Sequence, residues 1–529
     1  MVRGQSALSR PEEMTVERKK NRYFYIAWIL IFMTGVLLRV LYLTGYPAGV
    51  NADEAYAGYE AYALLSNGTD SHGYSYPVYF ISWGNGMNVL YSYLSIPFQL
   101  ILGTNIFSIR LPQAVFGCVT LIAFYWLLRE IRDRKTALFG MFLLAITPWH
   151  IMMSRWGLES NLVPAFVLFG MCFLIAAWKG KKQSYIGAFL MFGLVLYAYA
   201  VMWIFVPVLL FLCFIYGIYY RKITLNPYLF VGIAILLVLA VPLLLFLLVN
   251  RGYLPELQIG LLSIPRMDSM RSGEISLDHM AGKLKDFFYL IASQQDRDIF
   301  NTANTGIYYY CSIPFLITGV IAAVIRFVKN WKNKIYQAAD LMLLWFVAAC
   351  SVASVISYVN VNKINCVHLV IIYFIVDGVR IWCDKISNKL LYLVVPVYLV
   401  SFSIFGHWYF DTDKHYFYYG YEDALEYAES VTDGEIGTVM LRYPLVLVHS
   451  KMLPSEYLQN MEDTKNFGTA QQFGRYRIEP TVEDMNPDTV YVMPEQSAVD
   501  YLKEGYQTTF DNGYYVVIES IDRDKNGEK

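Results

Sequence analysis

Long apolar runs separated by short basic stretches dominate most of this chain. Runs long enough to cross a bilayer recur at residues 23–44, 107–128, 136–152, 161–178, 226–249, 308–325, 338–358, 364–382 and 390–407. Between them, residues 184–220 carry no charged side chain at all. A single helix of that length, rising about 1.5 Å per residue, would overrun a hydrocarbon core about 30 Å thick. The run is therefore predicted to fold back near Tyr197 to Trp203, which gives eleven transmembrane helices.

The polar intervals give these spans an orientation. Basic clusters at residues 18–22, 129–135, 179–182, 221–222, 326–334 and 380–389 all fall on one side if the spans number eleven, and lysine and arginine mark the cytoplasmic side. The N-terminus is then inside and the C-terminus outside. The first outer loop, 45–106, contains no lysine or arginine but carries Asp53, Glu54, Glu60 and Asp70. Two amphipathic stretches in it, 52–65 and 87–101, suit juxtamembrane helices lying along the surface. A second outer loop, 250–307, adds a surface helix near 277–292 and the polar stretch Gln294-Gln295-Asp296-Arg297-Asp298. The first apolar run follows a basic stretch, lacks small residues at a cleavage site, and reads as an uncleaved anchor.

Composition agrees with the pattern. Only 16% of residues are charged and 56% are hydrophobic, against about 25% charged in soluble domains. The net charge of -1 and the absence of a basic arm exclude a nucleic-acid partner. The 7 cysteines all lie in or beside apolar stretches, with no CxxC pair, so neither a disulfide framework nor a cysteine metal site is expected. After His407 the composition turns ordinary and soluble. The organisation predicted is a cytoplasmic tail (1–22), a polytopic membrane domain (23–407) and a small extracytoplasmic α/β domain (408–529), with helices near 421–430 and 497–504 and β-rich runs at 437–448, 489–493 and 514–518. The sequon Asn67-Gly68-Thr69 is read as chance.

Candidate chemistry gathers at the outer helix ends. Asn51-Ala52-Asp53-Glu54 follows the first span, and its adjacent carboxylates suit removal of a proton from a hydroxyl or a divalent metal at Asp53. The plainer alternative is a capped helix start with acids in its first turn. Arg110 opens the second span, His150, Arg155, Glu159 and Asn161 straddle the turn between the third and fourth, and Asn360, Asn362, Lys363, Asn365 and His368 cluster near the ninth and tenth. Ionisable groups at membrane depth are costly and tend to mark function. Arg155 and Glu159 are also spaced to pair on a helix, and Lys363 is placed to snorkel. Together these groups suit a lipid phosphate bearing a sugar: its tail between helices, its phosphate on an arginine or lysine, its sugar toward a carboxylate.

Asn51-Ala52-Asp53-Glu54, Ser108-Ile109-Arg110-Leu111-Pro112, Thr147-Pro148-Trp149-His150, Ser154-Arg155 and Glu159-Ser160-Asn161 resemble the GT-C glycosyltransferases, in the branch of protein O-mannosyltransferases and lipid A aminoarabinose transferases. The resemblance covers residues 23–407. It implies transfer of a sugar, with inversion, from a polyprenyl-phosphate donor to a lipid, glycan or protein acceptor on the outer face of a bacterial plasma membrane. Asp53 would be the catalytic carboxylate, assisted by Glu54, with no certain cofactor. Arg110 and Arg155 would contact the donor phosphate, and Asn88, Tyr91, His150, Glu159, Asn161, Asn362 and Asn365 would line the substrate site. Where relatives carry His-Lys-Pro-Pro, this chain has Trp83-Gly84-Asn85-Gly86-Met87-Asn88, and Lys363 substitutes for the missing lysine. A polytopic transporter and a non-catalytic envelope assembly protein are the rival readings. The first would show repeated halves, which the sequence lacks, and the second would be indifferent to replacement of Asp53.

Overall fold

The computed structural model describes residues 11–82, 86–267, 275–297, 302–411, 418–460, 462–463, 470–502 and 505–521. The N-terminal ten residues, Trp83-Gly84-Asn85 and Asp298 of the motifs above lie outside them.

A helix starts where an apolar run begins and a polar side chain can cap it. Helices α1 (Pro11–Val40), α2 (Ala52–Asn67), α3 (Leu90–Leu102), α4 (Ile106–Ile131), α5 (Arg134–Ile146), α6 (Pro148–Met153) and α7 (Val163–Trp178) form the first half. They are followed by α8 (Ser184–Leu194), α9 (Met202–Tyr219), α10 (Pro227–Asn250), α11 (Met280–Ser293), α12 (Ile313–Asn333), α13 (Leu341–Ala353), α14 (His368–Lys385) and α15 (Leu391–Tyr409). Asn105 and Ser108 exchange backbone and side-chain hydrogen bonds of 3.0 and 3.1 Å to cap α4, and Asp133 caps α5 through the amides of Lys135 and Thr136. Each of the ten apolar runs carries helix. Among the described residues, 7 helices are long and apolar enough to cross a membrane, and three shorter apolar ones accompany them. The charge-free run does fold back: helix breaks off after Tyr197 and resumes at Met202.

Helices α2, α3 and α11 occupy the predicted juxtamembrane stretches. The two long loops are joined directly. The Val78 amide donates to the Ser263 carbonyl (3.0 Å) and the Ser263 amide to the Ser75 carbonyl (3.1 Å), extending the hairpin of β1 (Leu257–Ile259) and β2 (Leu262–Ile264). Helices α12 and α14 meet most closely at Gly319 and Gly378. A Cβ on either would fall 1.9 Å from a carbonyl of the other helix, so only glycine permits this backbone approach.

Beyond α15 lie α16 (Tyr421–Val431), β3 (Ile436–Thr438), α17 (Tyr443–Ser450), α18 (Pro454–Asn460), β4 (Glu462–Asp463), β5 (Ala470–Phe473), β6 (Tyr476–Ile478), β7 (Val490–Pro494), α19 (Ala498–Leu502), β8 (Tyr506–Asp511) and β9 (Tyr515–Ser520). Their 7-stranded sheet runs β4-β5-β6-β3-β7-β9-β8, with β3 parallel to both neighbours and the other pairs antiparallel. The expected strand at 437–448 is corrected here. Only Ile436–Thr438 is extended, and Tyr443–Ser450 is helical, started by Pro444 and buried from Tyr443 through Val448. Burial against α2 overrides the strand preference of its valines. That helix and the turn after it seat this domain on the first loop, where the hydroxyls of Tyr59 and Tyr62 donate to the carbonyls of Met452 (2.9 Å) and Lys451 (3.0 Å).

Candidate functional site

The Asn51 side chain accepts from the Asp53 amide at 2.8 Å and caps α2. Successive residues on a helix point about 100° apart. The two carboxylates therefore part company: Asp53 is exposed and Glu54 fully buried. Glu54 holds the Arg110 guanidinium in a fork, Nε to Oε1 at 2.9 Å and Nη2 to Oε2 at 3.0 Å, and also accepts from the Gly157 amide at 2.9 Å. The remaining Arg110 donors reach the carbonyls of Leu43 (3.0 Å), Pro47 (3.0 Å) and Gly49 (2.6 Å). One buried ion pair thus ties α2, α4, the turn before α7 and the connection after α1.

Arg155 does the same for α1 itself. Its guanidinium donates to the carbonyls of Leu38 (2.9 Å), Leu41 (2.9 Å), Tyr42 (2.8 Å) and Tyr46 (3.0 Å), in the last turn of α1 and the segment after it, and it lies over the Phe410 ring at 5.3 Å. The structure gives Arg110 and Arg155 other partners than the phosphate expected of them. Both are buried with their donors already engaged, and they shape the site from behind.

The other predicted residues fall into two groups. His150 Nδ1 is 2.5 Å from Arg39, which also donates to the carbonyls of Gly35, Leu144 and Ala145, so His150 belongs to a second buried brace. Asn365 joins Trp149 (3.0 Å) to Asn161 (3.0 Å), and the Asn161 carbonyl accepts from Gln113 (2.9 Å). The Tyr91 hydroxyl donates to the Ile109 carbonyl at 2.6 Å with the ring fully buried. These side chains hold helices together rather than line an open surface. Apart from these, Glu159 accepts from the Asn88 amide at 2.5 Å, and the buried Asn88 carboxamide makes no hydrogen bond. Lys363 lies 3.6 Å from the centre of the Tyr358 ring and 3.3 Å from the Ser357 hydroxyl, and Asn362 is half-buried beside it.

Sequence reasoning missed three features. Arg39 was visible as a charge inside an apolar run, a signal left unused. Glu60 and Asp70 are buried together, Glu60 accepting from both the amide and hydroxyl of Ser71, and Asp70 from the amides of His72 and Tyr74. Burial raises both carboxyls, Glu60 to about 7, and lowers His72 to about 4. The third lies in the C-terminal domain, where Tyr418, Arg442, Glu479, Thr481 and Tyr501 help line a cavity of about 510 Å³. Arg442 and Glu479 pair at 3.1 Å. Burial pushes the Tyr418 phenol up, Arg442 opposes this, and the negative charges of Glu479 and Asp53 add to it. No short-range signal links 53 to 418 in the sequence.

A divalent metal does not fit Asp53 well. Glu54 is committed to Arg110, and among the described residues no three acidic, histidine or cysteine side chains group to hold an ion.

The sequence of residues 88–246 matches a family model described as dolichyl-phosphate-mannose-protein mannosyltransferase. The apo structure of ArnT from Cupriavidus metallidurans superposes over 95% of this chain and 98% of its own, with TM-score 0.56 at 13% identity. The chain has the GT-C glycosyltransferase fold. The same GT-C enzyme bound to undecaprenyl phosphate matches over 94% and 98%, with TM-score 0.55 and 12% identity. AglB, the oligosaccharyltransferase of Archaeoglobus fulgidus in complex with an inhibitory peptide and a dolichol-phosphate, matches over 82% of this chain and 64% of its own, with TM-score 0.52 and 14% identity. No curated protein matches the sequence. At such identities the likeness carries the GT-C architecture, and the chemistry rests on this chain's own residues.

Proposed function

We propose that this chain is an inverting glycosyltransferase that moves a sugar from a polyprenyl-phosphate donor to an acceptor hydroxyl on the outer face of a bacterial plasma membrane. The observation that carries the reading is the division of labour at Asn51-Ala52-Asp53-Glu54. A buried, arginine-paired Glu54 fixes the helix start, and the adjacent Asp53 is presented outward beside the C-terminal domain. In this reading Asp53 takes the proton of the acceptor hydroxyl as its oxygen bonds to the anomeric carbon. The bond from that carbon to phosphate oxygen breaks, and polyprenyl phosphate leaves with the electron pair. Lys363, a compact charge on a flexible stem, meets the growing charge on that phosphate. Asn88, Glu159 and Asn362 are assigned to the sugar. The eleven spans, the cytoplasmic N-terminus, the membrane domain 23–407 and the extracytoplasmic domain 408–529 belong to the same proposal, since they put Asp53 on the surface where lipid-linked sugars are used.

The test is sugar transfer by the purified chain from a radiolabelled polyprenyl-phosphate sugar. Asp53→Asn is expected to lose transfer while keeping its yield, membrane insertion and melting temperature. Full transfer by that variant would defeat the assignment.

A further inference from the structure

At the end of the helices opposite the C-terminal domain, α9, α12 and α13 part to leave a groove of about 410 Å³. Leu212, Ile215 and Tyr216 form one wall, Phe327 and Val328 the other, and Leu344 the floor. The helix faces leading into it are strongly apolar and exposed. Phe211, Phe214 and Ile218 on α9 and Ile321 and Ile325 on α12 are each more than a third accessible. In a bilayer such faces meet lipid chains.

The mouth of the groove is chemically different. Tyr219 and Trp331 stack across it with centroids 4.2 Å apart and planes 1° from parallel, and the Tyr219 hydroxyl donates to the Trp331 carbonyl at 3.0 Å. Aromatic rings with a polar edge settle at headgroup depth. Lys332 lines the groove itself, and Arg221, Lys329 and Lys334 are exposed around it. Neither residues 202–227 nor 313–337 contain an aspartate or glutamate. The acids that neighbouring elements bring to this end are already committed. Asp340 is bonded by Tyr216, Asn330 and Arg326, Asp377 by three arginines, Glu130 by Lys179, and Asp384 by Arg380. The apolar slot therefore opens onto four cations.

We infer that this groove binds one anionic phospholipid of the leaflet opposite the C-terminal domain, with an acyl chain between α9 and α12 and its phosphate on Lys332, supported by Lys329 and Arg221. The charge complementarity selects an anionic headgroup over a zwitterionic one. The site is distinct from that of the proposed donor, whose phosphate belongs at the Asp53 end, and it stands whether or not that reading holds.

Native mass spectrometry of the purified full chain tests it, with phosphatidylglycerol and phosphatidylcholine of matched chains as probes. The wild-type chain is expected to retain one phosphatidylglycerol in preference to phosphatidylcholine. Lys329→Ala with Lys332→Ala, both on the exposed surface, should lower that retention roughly fivefold per charge removed. These substitutions should leave the melting temperature in lipid-free detergent unchanged. Ile215→Trp, which fills the slot, should abolish retention with the charges intact. Equal retention of both lipids by the wild type, or undiminished phosphatidylglycerol in either variant, overturns the inference. So does a dimer that Ile215→Trp dissolves, since the groove would then hold a second copy.

Discussion

Two fully buried carboxylates, Glu54 and Asp377, sit at opposite ends of the helix bundle, and each is held by arginine. Asp377 is gripped by Arg132 (2.8 Å), Arg326 (3.0 Å) and Arg380 (3.0 Å), and the Tyr373 hydroxyl accepts from the first two. Helices α4, α12 and α14 are clamped there, and no exposed acid stands next to Asp377 in sequence. Glu54 has one arginine, with Asp53 beside it on the first turn of a helix that carries the C-terminal domain. The same chemistry, a desolvated ion pair, thus closes one end and presents an exposed carboxylate at the other. A buried ion pair is weak evidence of net stability, but removing one partner is costly because the other charge remains buried alone. The difference between the two ends lies in what each pair positions.

That comparison can be broken in several ways, and the largest effects concern the pairs themselves. Asp377→Ala and Glu54→Ala should each destabilise the fold by about 3–5 kcal/mol, because arginines are left without their carboxylate. Thermal unfolding in detergent reads this, and a loss under about 1 kcal/mol would mean that water reaches the pair. Arg155→Met should come next, at on the order of 3 kcal/mol, since buried carbonyls at the end of α1 lose their donor. Its loss should appear as lower folded yield, with transfer per folded molecule reduced much less than in Asp53→Asn.

A gentler test uses pH. Burial raises Glu60 to about 7 from 4.5, so the folded chain binds more protons than the unfolded one between those values. Glu60 therefore contributes a stability that falls as pH rises from about 4.5 to 7 and levels off above it, against the opposite slope that His72 contributes between about 4 and 6.5. Glu60→Gln should remove the Glu60 contribution to the slope, and melting temperatures across this range measure the difference. An unchanged slope would show that Glu60 is ionised in the folded chain throughout. The smallest effect is expected at Lys363→Met, a rise in the apparent KM for the donor of roughly tenfold with stability retained.

Much of the framework was legible because it follows from periodicity and charge. The fold-back at Tyr197 to Met202 follows from a charge-free run too long for one span, and α2 and α11 from amphipathic stretches between spans. The Asn51 cap was equally plain. The strand expected at 437–448 failed because valine and leucine serve a fully buried helix as well as a strand, and only the contact with α2 decides. The arginines show the deeper limit. A sequence shows a charge at a helix end but not the carbonyls that surround it, so Arg110 and Arg155 read as ligands when their donors already face Leu43, Gly49 and the end of α1. Tyr418 and Arg442 were illegible for the same reason, since nothing local connects them to Asp53.

The account turns on Asp53 acting where Glu54 merely holds. The direct measurement is sugar transfer and melting temperature in parallel for Asp53→Asn and Glu54→Gln. The account predicts that Asp53→Asn lowers transfer on the order of a hundredfold or more at an unchanged melting temperature. It predicts that Glu54→Gln lowers the melting temperature and keeps measurable transfer in the molecules that remain folded. Full transfer by Asp53→Asn, or its loss in a Glu54→Gln chain that melts like the wild type, would contradict it.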